Sequence, residues 1–364
     1  MHSSSSLSDW FESRAFDADI SRQYEAVVDE GLALIDRSDR DTLVITGDDT
    51  VSWLQGLVTS DLHDLVDEGR GQRTAMVNTT GRFVGEARIL HLPQMLLLDL
   101  ESGLLDDGLL SHLQQHIILE SVNLYDRSEA TARIGVYGRR AAALLATLDG
   151  WTTNPRDLDP FCGAWTRWRG EDLIVQRTPW IKPPGLELIC ALDVAPALLD
   201  FLESSFAESR LPAFQDPAFE VLRLEAGVPR MGTELGPRVI PLEAGFEGDI
   251  AYDKGCYLGQ EIIARLDTLG TPAKKLRQVI LDSPIAPEAG ADVFPEDGEG
   301  RSIGTVKSAV FSPEFGAAIA LAFIKRDHNA IGHTVRINDH LGTLAPLMDV
   351  YRPGTPLGAD ASIA

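Results

Sequence analysis

Residues 254–261 read Lys-Gly-Cys-Tyr-Leu-Gly-Gln-Glu and hold the side chains best suited to chemistry. Cys256 stands between a lysine-glycine turn and the expected start of a helix. A thiol becomes a nucleophile or a soft ligand when it loses its proton. The ammonium of Lys254 and the free N–H groups of a helix start both favour that loss. The run from Glu261 to Leu266 has helical character, with Ile262, Ile263 and Leu266 on one apolar face and Glu261 and Arg265 as an i,i+4 pair. Gln260 and Glu261 are placed to cap or brace the turn that presents Cys256. A lone cysteine is also a small hydrophobe that packs into cores, so spacing alone leaves both roles open.

The elements that must position this turn are legible upstream and downstream. Residues 20–40 predict a helix that breaks at Gly31, followed by an apolar segment from Leu32 to Ile35. Leu43–Gly47 predicts a strand, after which Asp48 or Asp49 can cap a helix carrying Val51, Leu54, Gln55, Leu57 and Val58. Strands are expected at 73–78, 83–90 and 95–100, then a helix from Leu104 to Ile118. The order repeats: a strand at 132–137, a helix at 140–148, strands near 164–168, 172–177 and 186–191, and a helix near 195–207. A helix at 216–226 leads into a Gly- and Pro-rich irregular segment, 230–253, of a kind that often carries function. From about 276 onward, short β-type runs (276–282, 303–311, 317–323, 333–337) suggest a small antiparallel barrel. This predicts an α+β fold with lobes at 1–130, 131–275 (holding the Lys-Gly-Cys motif) and 276–364.

Composition narrows the function classes. The chain has 364 residues, 44% of them hydrophobic, enough for several cored lobes. Its net charge of −23 opposes direct nucleic-acid binding, which needs a cationic face, and keeps copies apart, so a monomer is expected. No apolar run approaches the roughly 20 residues needed to span a bilayer. Met1–Ser6 reads as a polar tail without signal-peptide character. Three cysteines (Cys162, Cys190 and Cys256), with no Cys-x-x-Cys, argue against a disulfide framework or a self-contained metal or cluster site and suit a cytoplasmic location. His112 and His116 lack the glutamate of a His-Glu-x-x-His zinc motif, and no phosphate-binding glycine loop occurs.

The string Lys254-Gly255-Cys256-Tyr257-Leu258-Gly259-Gln260-Glu261, followed by Ala264-Arg265, resembles the signature of the YgfZ family, folate-binding proteins that support iron–sulphur cluster assembly or repair. A wider resemblance covers the chain from about residue 30. Arg223-Leu224-Glu225-Ala226-Gly227, Gly232, Glu234, Pro241–Ala244, Phe311-Ser312-Pro313 and the early Trp53-Leu54-Gln55 are similar to the glycine-cleavage T-protein, a tetrahydrofolate-dependent aminomethyltransferase. The resemblance implies a three-lobed aminomethyltransferase-like fold around a central channel holding tetrahydrofolate or a derivative. The partners it implies are iron–sulphur client enzymes, including tRNA-modifying ones, or assembly proteins.

Site roles follow from the same resemblance. Glu187 matches a glutamate that accepts the pterin's 2-amino and N3 hydrogens; otherwise it is an exposed strand carboxylate. Asn78 either bonds the pterin or closes a turn, and Arg223 either binds the folate tail or pairs with Glu220 or Glu225. Cys256, aided by Lys254, serves as a transient cluster or metal ligand or as a thiol exchanger. Three departures separate the chain from the T-protein pattern: Gly85-Glu86 in place of an aspartate pair, Ile181–Glu187 in place of a Thr-Gly-Glu loop, and the Lys-Gly-Cys turn itself. The alternative is a T-protein-type transferase with Glu86 as acid/base, although its extra methylene shifts the carboxylate by about 1 Å, which costs about 100-fold in rate. A third reading is a folate sensor without catalysis.

Overall fold

The computed structural model describes residues 6–14, 19–206, 211–270 and 272–347. Met1–Ser5, most of the expected polar tail, lie outside them, as do residues 348–364 of the third lobe. Ser6 caps helix α1 (Leu7–Glu12), exchanging hydrogen bonds with Asp9 in a capping box. Helix α2 (Ile20–Val28) and strand β1 (Ala33–Asp36) follow.

The first sheet is built from β2 (Asp41–Thr46), β3 (Gly71–Val77), β4 (Phe83–Leu92), β5 (Met95–Leu100) and β6 (Asn123–Asp126), in the spatial order β3-β4-β5-β2-β6. Helix α3 (Thr50–Gln55) lies between β2 and β3. Asp49 does not cap it through its side chain; its Oδ2 accepts from the Ser121 N–H at 2.8 Å instead. The helix expected over Leu104–Ile118 is shorter and broken. Gly108 has φ 110°, so the chain makes a π-helical turn over Leu105–Leu109 and then helix α4 (Leu110–Gln114).

The second sheet takes β7 (Thr131–Tyr137), β8 (Gly163–Trp168), β9 (Glu171–Thr178) and β10 (Gly185–Ala191), with β1 added at its edge, in the order β1-β7-β10-β9-β8. Strand β1 precedes residue 130 in the sequence but pairs antiparallel with β7, from Ala33↔Tyr137 to Asp36↔Ile134. Helices α5 (Ala141–Leu145) and α6 (Ala195–Ser205) cover this sheet. Helix α7 (Asp216–Glu225) and an irregular stretch lead to α8 (Gln260–Leu269). Six strands then close an antiparallel barrel: β11 (Lys274–Leu281), β12 (Asp292–Pro295), β13 (Gly304–Ser312), β14 (Ala317–Lys325), β15 (Thr334–Ile337) and β16 (His340–Ala345).

Period-two patterning sets what each sheet face carries. In the first sheet, Ala87, Ile89, Leu96, Leu98 and Leu100 point to a core shared with α3 and the π turn. The alternate positions put Glu86, Arg88 and Asp99 on the other face. In the second sheet, Ala132, Ile134, Val136, Leu186 and Leu188 face α5 and α6, which leaves Arg133, Tyr137 and Glu187 on the opposite side. Leu90, Leu92, Leu97 and Ile189 form an apolar contact between these two second faces, so the charged residues are buried where the sheets meet.

Candidate functional site

The Lys-Gly-Cys turn docks on the first lobe, although sequence order groups it with the second. The Lys254 ammonium donates to three carbonyl oxygens, those of Gln55 (2.7 Å), Val58 (2.6 Å) and Ser60 (2.8 Å). It also lies 4.8 Å from the Tyr257 ring centre. Burial pulls the Lys254 pKa down to about 8, which still leaves ammonium dominant at neutral pH. All three of its donors are spent on backbone oxygen. That corrects the expectation of a lysine aimed at the thiol: Lys254 fastens the turn. The Leu258 N–H donates to the Gly56 carbonyl at 3.0 Å, Tyr257 is buried, and Gly259 (φ 79°) caps α8.

Helix α8 begins at Gln260, so Cys256 precedes the helix start by a full turn and does not sit in its N-terminal field. Cys256 is exposed, whereas Cys162 and Cys190 are buried and burial pushes the Cys190 thiol up to about 12. Gly255 (φ 95°) lets the chain turn sharply before the thiol. Gln260 braces the turn by accepting from the Tyr257 N–H at 3.4 Å, while Glu261 and Arg265 are exposed on α8.

Between the two sheets lies a buried ionic cluster of which sequence reading found only Glu86 and Glu187. Arg40 Nε is 2.6 Å from Asp99 Oδ1, and Arg40 Nη1 is 3.2 Å from Glu101. Arg88 and Arg133 approach Asp99 at 3.6 and 3.7 Å. Burial pushes the Asp99 carboxyl up, but Arg133, Arg40 and Arg88 outweigh it and hold the pKa at about 2. Trp180 is fully buried among guanidinium groups, with Arg88 3.1 Å and Arg40 4.4 Å from its ring centre. One signal in the sequence pointed here: Asp99 and Arg133 interrupt apolar runs, and a charge buried in a strand requires a partner.

Glu187 is fully buried, so it is not an exposed strand carboxylate. Its oxygens are taken by Arg133 Nη1 at 2.9 Å and by the Tyr137 hydroxyl at 3.3 Å. It holds Arg133 in place across the sheet. Glu86 differs. It lies 3.2 Å from Arg88 Nη2, yet both of its buried oxygens lack a hydrogen-bond donor, and burial raises its pKa although Arg88, Arg73 and Arg40 oppose this. Arg88 Nε and Nη1, Arg133 Nε and Nη2 and Trp180 Nε1 also lack acceptors.

Arg223 is buried and committed to structure. It pairs with Glu220 and with Glu234 at 3.1 Å, and it donates to the Val228 carbonyl. Glu225 is not its partner; that carboxylate accepts from Tyr24 at 3.0 Å and from Ser312, joining α2 and α7 to the barrel. These contacts leave Arg223 no free donor face for a folate tail. Asn78 closes a turn, its Oδ1 accepting from the Thr80 N–H at 2.9 Å and the Arg82 N–H at 3.2 Å.

Two cavities adjoin the cluster. One of about 880 Å³ lies where the three lobes meet, lined by Gln72, Arg73, Phe161, Asp249 and Lys275. Arg73, which pairs with Asp249 there, adds its charge to the field at Glu86. The second, about 1150 Å³, is lined by Asn78, Glu101, Met231, Glu234 and residues of the barrel. Among the described residues no group of three or more His, Cys, Asp or Glu is arranged to hold a metal, and no helix is long and apolar enough to cross a membrane.

The chain is similar to known proteins along most of its length. Residues 274–352 match the glycine cleavage T-protein C-terminal barrel domain. An aminomethyltransferase of Halalkalibacterium halodurans is 28% identical over 320 residues, covering 88% of this chain and 85% of that protein. One from Bacillus subtilis is 27% identical over 322 residues, covering 87% and 86%. The crystal structure of glycine cleavage system aminomethyltransferase T from Bartonella henselae superposes with a TM-score of 0.79 over 92% of this chain and 90% of that one, at 18% identity, which establishes a shared fold. Residues 255–273, with Cys256 and most of the string that carries the iron–sulphur resemblance, fall between the two matched domains. With residues 4–254 matching the GCVT N-terminal domain and the barrel matching its companion, the chain belongs to the glycine cleavage T-protein family.

Proposed function

We propose that this protein binds a reduced folate between its lobes and uses it as a folate-dependent protein of the aminomethyltransferase class. The observation that carries this is Glu86: a fully buried carboxylate whose two oxygens lack donors, near guanidinium nitrogens of Arg88 and Arg133 that lack acceptors. A pterin presents N–H donors and ring acceptors along one edge, so these orphaned groups suit it. Glu86 would receive the donor edge, and Arg88 and Arg133 would meet the acceptors, with Glu187 orienting Arg133. The raised pKa of Glu86 suits proton transfer, and the relatives' names favour the transferase reading.

A second reading is favoured by the exposed Cys256 on its fastened turn. The protein then binds the same folate while the thiol serves iron–sulphur client enzymes by ligation or exchange. Calorimetry with tetrahydrofolate, combined with an aminomethyl-transfer assay, separates the two. The transferase reading expects saturable binding and turnover in wild type, with turnover lost in Glu86→Gln and kept in Cys256→Ala. Binding without turnover, together with loss of client-enzyme activity in cells carrying Cys256→Ala, selects the second. No binding by wild type refutes both.

A further inference from the structure

Helix α4 and the turn that ends it bring two imidazoles together. His112 lies on the helix and lines the second cavity, and His116 follows two residues after the helix end. Their ring centres are 4.8 Å apart with the planes inclined at 59°, and both residues are half-buried. The backbone between them is held from two sides. Leu113 is fully buried in the core of the first sheet, and the Trp53 indole N–H on α3 donates to the His116 carbonyl at 2.9 Å. The His116 ring is fixed as well, because its Nδ1 lies 2.8 Å from the His112 carbonyl oxygen, which can only accept. Nδ1 therefore carries the proton, and in the neutral ring Nε2 keeps a bare lone pair. The His112 ring makes no hydrogen bond among the described residues, so it is free to turn about its Cβ–Cγ bond.

We infer that His112 and His116 chelate a divalent ion of the Zn²⁺, Ni²⁺ or Cu²⁺ class. An ion about 2.1 Å from each Nε2 lies about 3.2 Å from each ring centre, so centres 4.8 Å apart subtend about 97° at the ion. That angle falls between the octahedral and tetrahedral values. Imidazole pairs select such ions, whereas Mg²⁺ and Ca²⁺ require a shell of oxygen ligands. Among the described residues no third His, Cys, Asp or Glu joins the pair. The remaining coordination positions therefore go to water or to a molecule in the cavity, which makes the ion exchangeable. Leu113 stands where a metallohydrolase helix carries its glutamate, and it points into the core. The pair has no adjacent general base, and the inference is of binding, not of hydrolysis. The site shares no residue with the folate reading and does not depend on it.

The test titrates the full chain with Zn²⁺ by calorimetry. Excess Mg²⁺ at fixed ionic strength occupies the acidic surface of a chain with net charge −23. Wild type is set beside His112→Gln, His116→Gln and Cys256→Ala, the last because the exposed thiol is a competing soft ligand. Two imidazoles on one rigid turn act as a chelate, so the expected result is saturable binding that weakens about tenfold or more in either histidine variant and is kept in Cys256→Ala. Imidazole nitrogen NMR spectra of the wild type give a second readout that no variant can confound by misfolding. They should show His116 in its Nδ1–H form before the ion is added, and the Nε2 signals of His112 and His116 shifting together with it. Binding that both histidine variants retain, or that Cys256→Ala abolishes, overturns the site. So does a shift confined to one of the two imidazoles, or no saturable binding over the Mg²⁺ background.

Discussion

Lys254 reaches back across 196 residues to the carbonyl oxygen of Val58, 2.6 Å from its Nζ. With the Gln55 and Ser60 carbonyls, this contact ties the turn that carries Cys256 to the end of α3. An ammonium can direct three hydrogens at three converging oxygens, whereas a planar guanidinium cannot. Lys254→Met should cost about 1–3 kcal/mol, because it strands buried carbonyls, and Lys254→Arg should not restore the loss. The check is the urea midpoint, together with the rate at which iodoacetamide alkylates Cys256, expected to change in both variants. Unaltered alkylation would show that Lys254 does not position the thiol.

Strand patterning made most of the fold readable. The short apolar runs at 83–90, 95–100, 132–137 and 186–191, set off by turn residues, foretold strands of both sheets, and the turn-separated runs after 276 foretold the barrel. What stayed hidden was pairing over distance. Nothing local in Ala33–Asp36 says that it joins β7, about a hundred residues later, in preference to β2 beside it. The short strands β6, β12 and β16 have weak alternation and take their shape from their neighbours. The site was half legible. Cys256 and its glycines stood out as a string, and Glu187 could be singled out, but its partner Arg133 comes from another strand. A single residue, Gly108, broke a helix whose apolar spacing runs across it.

Asp99 holds the interlobe cluster together, facing Arg40, Arg88 and Arg133 at once. Replacing it with asparagine leaves three buried guanidinium groups short of an anion, a loss expected to cost about 3–5 kcal/mol at neutral pH. The sign of its pH dependence follows from the folded pKa of about 2, below the ordinary 3.8. The unfolded chain takes up the proton first, so the contribution is complete above the ordinary value and drains away as pH falls from about 4 to about 2. Thermal midpoints of wild type and Asp99→Asn should therefore be far apart at neutral pH and converge in acid. A separation that is already small at neutral pH would contradict this role.

Gly255 and Gly259 flank the thiol turn, both with positive φ (95° and 79°), and they offer a matched pair of substitutions. A Cβ on Gly255 meets nothing within 4 Å, so Gly255→Ala pays only for the left-handed backbone, about 1 kcal/mol. A Cβ on Gly259 falls 2.5 Å from the Asn78 carbonyl oxygen and 3.1 Å from the Gly81 Cα, both backbone atoms that cannot swing aside. Gly259→Ala must therefore lift the turn off the 78–81 loop, adding about 1–3 kcal/mol to the same conformational cost. Urea midpoints of the two variants give the difference directly, and hydrogen exchange at the Leu258 amide, which bonds Gly56, reports whether the turn has moved. Exchange at that amide should accelerate in Gly259→Ala and stay near wild type in Gly255→Ala. Equal exchange in the two would mean that the turn is held by Lys254 alone and that the contact of Gly259 with the 78–81 loop has no part in presenting Cys256.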